Sequence, residues 1–215
     1  MALVPAALAI LLAVLFILKF GYVLATAAAL PATRGAMFTS THPLRVEAAL
    51  EALRLSPGEL LYDLGCGDGR FLAAACRRGA RAVGFELNGW AYLLARLRTF
   101  RLPQARVRLA SFWEEDLSGA DCVVCYLFPD VMAKLAAKLE AELRPGARVA
   151  SCNFPLPGWR PERVIRLHHP TERDPIYLYG WGGAAPAGDA PRRAFLVVEP
   201  QAWRRQASQR PANGH

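Results

Sequence analysis

The residues best suited to chemistry lie in one stretch, Leu60-Leu61-Tyr62-Asp63-Leu64-Gly65-Cys66-Gly67-Asp68-Gly69-Arg70. A short apolar run leads into a glycine-rich turn, and a helical pattern follows it. That is the arrangement by which α/β proteins bind nucleotide-like ligands at the end of a strand. Glycines there permit positive φ and let the backbone approach a ligand closely. The spacing is G-x-G-x-G, with Arg70 where the dinucleotide fingerprint has its third glycine, and no phosphate-cradling G-x-x-x-x-G-K-[ST] occurs. Asp63 at the strand end would repel a pyrophosphate and suits a ligand with a positive centre. Glu86, 23 residues on, is placed to accept hydrogen bonds from two ribose hydroxyls.

Other residues carry weaker signals. Cys122-x-x-Cys125 has the spacing of half a zinc site but no second pair, so both are expected to be buried structural thiols. His168–His169 reads as a loop pair, and no metal site is expected. Asp130 has two readings, a base or the N-cap of the helix that follows it. Tyr126 and Phe128 are aromatic wall or aromatic core.

These residues need a scaffold, and the periodicity supplies one. Strand-like runs fall at Glu59–Leu64, Ala82–Glu86, Val107–Ala110, Asp121–Leu127, Arg148–Phe154, Val164–Leu167 and Ile176–Trp181. Helical spacing falls at Leu44–Leu55, Phe71–Arg78, Trp90–Phe100 and Val131–Leu143. The third of these helices is expected to turn Arg96, Arg98 and Arg101 to solvent. The alternation predicts an α/β fold, a doubly wound, mostly parallel seven-stranded sheet with helices on both faces.

Ahead of it, Ala2–Leu18 contains no polar or charged side chain, and roughly Ala2–Tyr22 is long enough to cross a bilayer. One N-terminal transmembrane helix is therefore expected, as an anchor at residues 1–23. Lys19, Arg34 and Arg45 on its C-terminal side predict a cytoplasmic catalytic domain on the inner (cytoplasmic) membrane, by the positive-inside rule. A linker at 24–38, a domain at 39–183 and a partly disordered C-terminal extension at 184–215 complete the expected division.

Composition bounds the rest. With 53% hydrophobic and 20% charged residues the 215-residue chain is apolar enough for a core and is not disordered. Five cysteines are too sparse for a disulfide scaffold and suit a reducing compartment. The net charge of +8 sits largely at the two ends: Lys19 and Arg34 precede any acid, and Arg204, Arg205 and Arg210 follow the last one. It is therefore no nucleic-acid signature.

The run D-L-G-C-G-D-G-R with Glu86 resembles the seven-strand, Rossmann-like, S-adenosylmethionine-dependent methyltransferases. The stretch from Leu60 to Trp159, with A-V-G-F-E-L-N, A-K-L-A-A-K-L-E-A-E-L-R-P-G-A-R-V and P-x-P-G-W, narrows the likeness. It is similar to a protein-lysine methyltransferase group with archaeal members and mitochondrial members that modify the c-ring protein of ATP synthase and the adenine nucleotide translocase. The resemblance implies S-adenosyl-L-methionine as cofactor. Gly65, Cys66 and Gly67 would line its methionine and ribose part, with Asp63 below. Glu86 would hold the ribose and Leu87 would cover the adenine. Thr41 would meet the cofactor carboxylate or, equally, cap the first domain helix. Ser111 stands where the group has Asp or Asn beside the adenine amino group, a shorter reach, and Phe112 follows it.

The resemblance names no catalytic residue. It implies a lysine of a partner protein as acceptor, and the expected anchor makes that partner an integral membrane protein. Tyr126-Leu127-Phe128-Pro129-Asp130 lacks the N-P-P-[YF] of methyltransferases for bases and glutamine, so no nucleic-acid partner is expected. Methylation of a quinone or lipid precursor, or a non-catalytic cofactor-binding scaffold at the membrane, are the competing expectations.

Overall fold

The computed structural model describes residues 8, 10–21, 41–167, 174–182 and 195–197. Helix α1 is Pro43–Ala52, strand β1 Leu60–Leu64, α2 Arg70–Arg77, β2 Arg81–Glu86, α3 Gly89–Thr99 and β3 Ala105–Leu109. Then come β4 Cys122–Cys125, α4 Met132–Glu142, β5 Arg148–Cys152, β6 Arg163–Arg166, β7 Ile176–Gly180 and β8 Phe195–Val197. They form one eight-stranded sheet in the order β3-β2-β1-β4-β5-β7-β6-β8.

The expected fold class needs correction on two counts. The sheet is mixed: β1 to β5 pair in parallel, β7 is antiparallel to both β5 and β6, and β8 lies parallel to β6. The reason is visible in the connections. A parallel pair needs a crossover of a dozen or more residues, usually a helix, and no helix is described between β5 and β7. An eighth strand, from the stretch assigned to the extension, joins beyond the seven. Second, among the described residues no helix is long and apolar enough to cross a membrane. Residues 10–21 are helical with exposed side chains, but at 1.5 Å per residue they reach about 18 Å, short of the ~30 Å hydrocarbon layer. The rest of the predicted span, and His168–His169, lie outside the described residues.

Two cores flank the sheet. Leu50 and Leu53 of α1, Phe71 and Leu72 of α2 and Ala95 of α3 pack on one face against Leu61, Ala82, Val107, Val124 and Ile176. On the other face Met132, Leu135 and Leu139 of α4 meet Leu64, Phe85, Val123 and Val149. Successive strand residues point to opposite faces, so Cys122 belongs to the first core and Cys125 to the second. The thiols do not converge on one point. Burial holds both at about 12, too high to ionise at neutral pH.

Helix α3 is amphipathic in an unexpected sense. Its arginines are exposed, but its buried residues are the small Ala91, Ala95 and Thr99, while Trp90, Leu93 and Leu97 also face outward. Gly69 explains the inward choice: a Cβ there would sit 3.0 Å from the Cα of Ala95. Only small side chains allow so close an approach.

Candidate functional site

The glycine-rich turn is held by its neighbours before any ligand is considered. Gly65, Gly67 and Gly69 have φ of 83°, 54° and 75°, left-handed values that cost little without a Cβ. The Gly65 and Cys66 amides donate to the Phe85 carbonyl at 3.0 and 2.9 Å, which ties the turn to β2. A side chain at Gly65 would lie 3.2 Å from Leu127.

The two acids of the motif do different work. Asp68 is gripped by Arg70 (Nε to Oδ1 2.9 Å, Nη2 to Oδ2 2.6 Å) and by Arg98 at 2.7 Å. Arg70 also donates to the Thr41 carbonyl, so one acid clips the domain entrance, α2 and α3 together. Burial acts to raise the Asp68 pKa, but the guanidinium hydrogen bonds and charges outweigh it and hold the carboxyl below its usual range. Asp63 has no such cation. It is 3% exposed, and its Oδ2 has no hydrogen-bond partner among the described residues. Burial first, then the charges of Glu86 and Asp68, push its carboxyl well above the usual range.

Glu86 closes β2 with its carboxylate fixed from two sides. Oε2 accepts from the Gly67 amide at 2.8 Å, and Oε1 accepts from the Leu87 and Asn88 amides, each at 2.8 Å. Asn88 then caps α3, its Oδ1 accepting from the Trp90 and Ala91 amides. The strand-to-helix turn thus orients the acid without using its full acceptor capacity.

The order β3-β2-β1-β4-β5 reverses direction between β1 and β4, and a cavity of about 940 Å³ opens at the carboxyl ends of these five strands. Thr41, Asp63, Gly65, Cys66, Gly67, Glu86, Leu87, Ser111 and Phe112, the whole expected set, line it. Thr41 is buried at the wall and is not the cap of α1: that role falls to His42, whose Nδ1 accepts from the Leu44 amide at 3.2 Å. Ser111 precedes the 3-10 turn Phe112–Glu114 and makes no side-chain capping bond. Asp130 does not cap α4 either. It is exposed within the turn Pro129–Val131 and faces the cavity.

Sequence reasoning missed part of the wall. Asn153, just past β5, takes a left-handed φ of 76°, a conformation asparagine tolerates better than most residues. Trp113 and Lys134 meet across the cavity rim, the ammonium 4.4 Å from the ring centroid. At the far end Tyr126 lies 5.2 Å beneath the buried Arg45 guanidinium, and Asp174 accepts from Arg45 at 3.3 Å and from the Tyr126 hydroxyl at 3.5 Å. The only sequence signal for these was their position after strand ends.

The family model for the ANTKMT methyltransferase domain matches residues 63–163. A protein-lysine N-methyltransferase of Saccharolobus islandicus is 36% identical over 139 residues, 62% of this chain and 86% of that protein. A lysine N-methyltransferase of Homo sapiens, named for the c-ring protein of ATP synthase, is 36% identical over 148 residues, 66% of this chain and 63% of that protein. The chain belongs to the protein-lysine N-methyltransferase family. A solved structure titled as an RNA methyltransferase from Salinibacter ruber, in complex with S-adenosyl-L-homocysteine, superposes with a TM-score of 0.64. It is 32% identical and covers 71% of this chain and 100% of its own.

Members of this methyltransferase family use S-adenosylmethionine, and the residues present fit such a group. The unpartnered Asp63 oxygen calls for a donor or a positive centre, the glycines leave room for close approach, and Glu86 keeps acceptor capacity directed to the cavity. The Leu87, Phe112 and Leu127 side chains supply apolar faces for a flat ring.

Proposed function

We propose that this protein transfers a methyl group from S-adenosylmethionine to the ε-nitrogen of a lysine in a protein, and that the acceptor is a membrane-embedded protein of the kind that forms the ATP synthase c-ring. The observation that carries the reading is the pairing, in one cavity, of a polar floor (Asp63, Glu86) with an aromatic outer end (Trp113, Tyr126, Phe128, Phe154). The name of the Homo sapiens relative supports the acceptor.

When bound, S-adenosylmethionine supplies an electrophilic methyl on a positively charged sulfur. The chain's part is to align and to desolvate. Asp63 answers the cationic methionine end, Glu86 accepts from the ribose hydroxyls, and Leu87, Ser111 and Phe112 hold the adenine. Thr41 reaches the carboxylate end. A lysine attacks only as the neutral amine, and its usual pKa is about 10.4. Burying the ammonium among Trp113, Tyr126 and Phe128 lowers that value, since a low-dielectric wall disfavours charge. Holding nitrogen and methyl in line is most of the remaining catalysis. Asp130, exposed at the mouth, is placed to take the proton to water.

One observation favours a second reading, methylation of RNA: the likeness to the Salinibacter ruber structure covers all of that chain. One experiment separates the readings. Membranes and total RNA from cells lacking the gene are incubated with the purified full chain and methyl-labelled cofactor. Methyl-lysine on hydrolysis of a labelled membrane-protein band supports the proposal. Label confined to soluble proteins removes its acceptor half, and label in RNA or in the organic extract overturns it, as does no transfer.

A further inference from the structure

Helix α3 carries a surface that the cavity does not use. At 100° per residue, its inward side is Ala91, Ala95 and Thr99, and the opposite side is Trp90, Leu93, Leu97 and the following Phe100. These four are 41%, 57%, 68% and 69% exposed. They form a stripe about 80° wide, flanked on one side by Arg96 and on the other by Arg101. Leu109 at the end of the neighbouring edge strand is exposed as well.

The charge around the stripe is one-sided. From Leu87 to Trp113 the chain has five arginines and no acid. Arg98 is paired with Asp68 and Arg108 with Glu115. Arg96, Arg101 and Arg106 have no ion pair among the described residues. An aromatic-aliphatic stripe with unpaired arginines along both edges has the composition of a helix that lies in a bilayer interface, and its arginines are drawn to anionic headgroups.

We infer that α3 docks on an anionic lipid surface, with Trp90, Leu93, Leu97 and Phe100 in the acyl boundary and Arg96 and Arg101 among the headgroups. A second copy of this chain is a poorer occupant. A two-fold contact sets each patch against its own image, which brings arginine against arginine. RNA is poorer too: Leu93 and Leu97, at the centre of the stripe, offer neither a stacking face nor a donor. The docking has a geometric result. Leu87 belongs to the cavity wall and stands two residues before α3, so a bilayer seated on this face lies beside the cavity rim. This inference is independent of which acceptor is methylated.

The test uses the full chain with vesicles of phosphatidylcholine, with or without phosphatidylglycerol, whose acyl chains carry bromine. The fluorescence difference between the wild type and Trp90→Phe isolates Trp90 from the other tryptophans. Trp90 should be quenched in the anionic vesicles, less so in pure phosphatidylcholine or high salt. Quenching should be lost in Leu93→Asp/Leu97→Asp, where both substitutions are at exposed positions, and reduced in Arg96→Glu/Arg101→Glu, with unchanged thermal midpoints. A chain that binds these vesicles by other segments while Trp90 stays unquenched overturns the inference. So does Trp90 becoming shielded without lipid, by concentration-dependent dimerisation or by an added RNA.

Discussion

Replacing Asp63 by asparagine should make the empty protein more stable and the cofactor weaker. The carboxyl is almost fully buried, has one oxygen without a partner and faces two other acids. An unsatisfied buried polar group costs about 1–3 kcal/mol, more when charged. Asparagine keeps the shape and removes the charge, so at pH 7 the variant should gain roughly 1–3 kcal/mol. That is about 2–4 °C in midpoint per kcal/mol for a domain of this size. The pH dependence gives the effect a signature. A carboxyl whose folded pKa is raised binds its proton more tightly in the folded state, so folding weakens as pH rises from the unfolded value, 3.8, to the folded one. The penalty is complete above the folded pKa and absent below 3.8. The gain on substitution should therefore vanish in acid. Losing a hydrogen bond between charged groups costs the complex about 1.5–3 kcal/mol, some 10- to 150-fold in Kd. Thermal melts across pH and calorimetric titration with S-adenosylhomocysteine read both. A variant less stable at pH 7, a gain that persists below pH 3.8, or an unchanged Kd would each refute the reasoning.

Glu86→Ala should weaken S-adenosylmethionine binding by about 2 kcal/mol, near 30-fold by calorimetry, and raise hydrogen exchange at the Gly67, Leu87 and Asn88 amides it now holds. Gly84→Ala would place a Cβ 2.7 Å from both Cys66 atoms and from Leu72, and overpacking of that kind should cost about 1–3 kcal/mol in urea unfolding. Asp68→Ala should cost about 1–2 kcal/mol at neutral pH, since Arg70 and Arg98 are partly exposed and can rehydrate. Because the folded Asp68 pKa lies below 3.8, this cost should shrink as pH falls below that value through the folded one, and acid melts of the two proteins should converge.

What the sequence disclosed followed from how local each cause is. The β1 turn and Glu86 were legible because glycine spacing and strand ends are short-range signals, and the five parallel strands because strand and helix periods alternate through Cys152. The antiparallel strands were less so: Arg163–Arg166 and Ile176–Gly180 read correctly as strands, but their direction depends on the missing crossover helix. Phe195–Val197 is too short to stand out in a Pro/Gly/Ala context. Apolar count misled at both the N-terminus and α3. In α3 a tight approach to Gly69 places alanines inside and leucines outside, which no hydropathy pattern announces. The unequal roles of Asp63 and Asp68 were hidden because the arginine that separates them, Arg98, is distant in the chain.

Strand β7 lies between β5 and β6 although it follows both in the chain, and this has a consequence for synthesis. When the ribosome has released residues through Cys152, the Asp63 turn, Glu86 and the parallel half of the sheet are all in place to form, but β5 is an open edge. Its partner arrives only with Ile176–Gly180, whose approach also brings the Pro175 carbonyl to the Asn153 amide at 2.8 Å. Until then the apolar β5 offers unpaired amides and carbonyls to any other chain. A nascent or truncated protein ending before Ile176 is therefore an aggregation-prone client for chaperones, and the wall of the cavity at Asn153 is finished by the last strands to emerge.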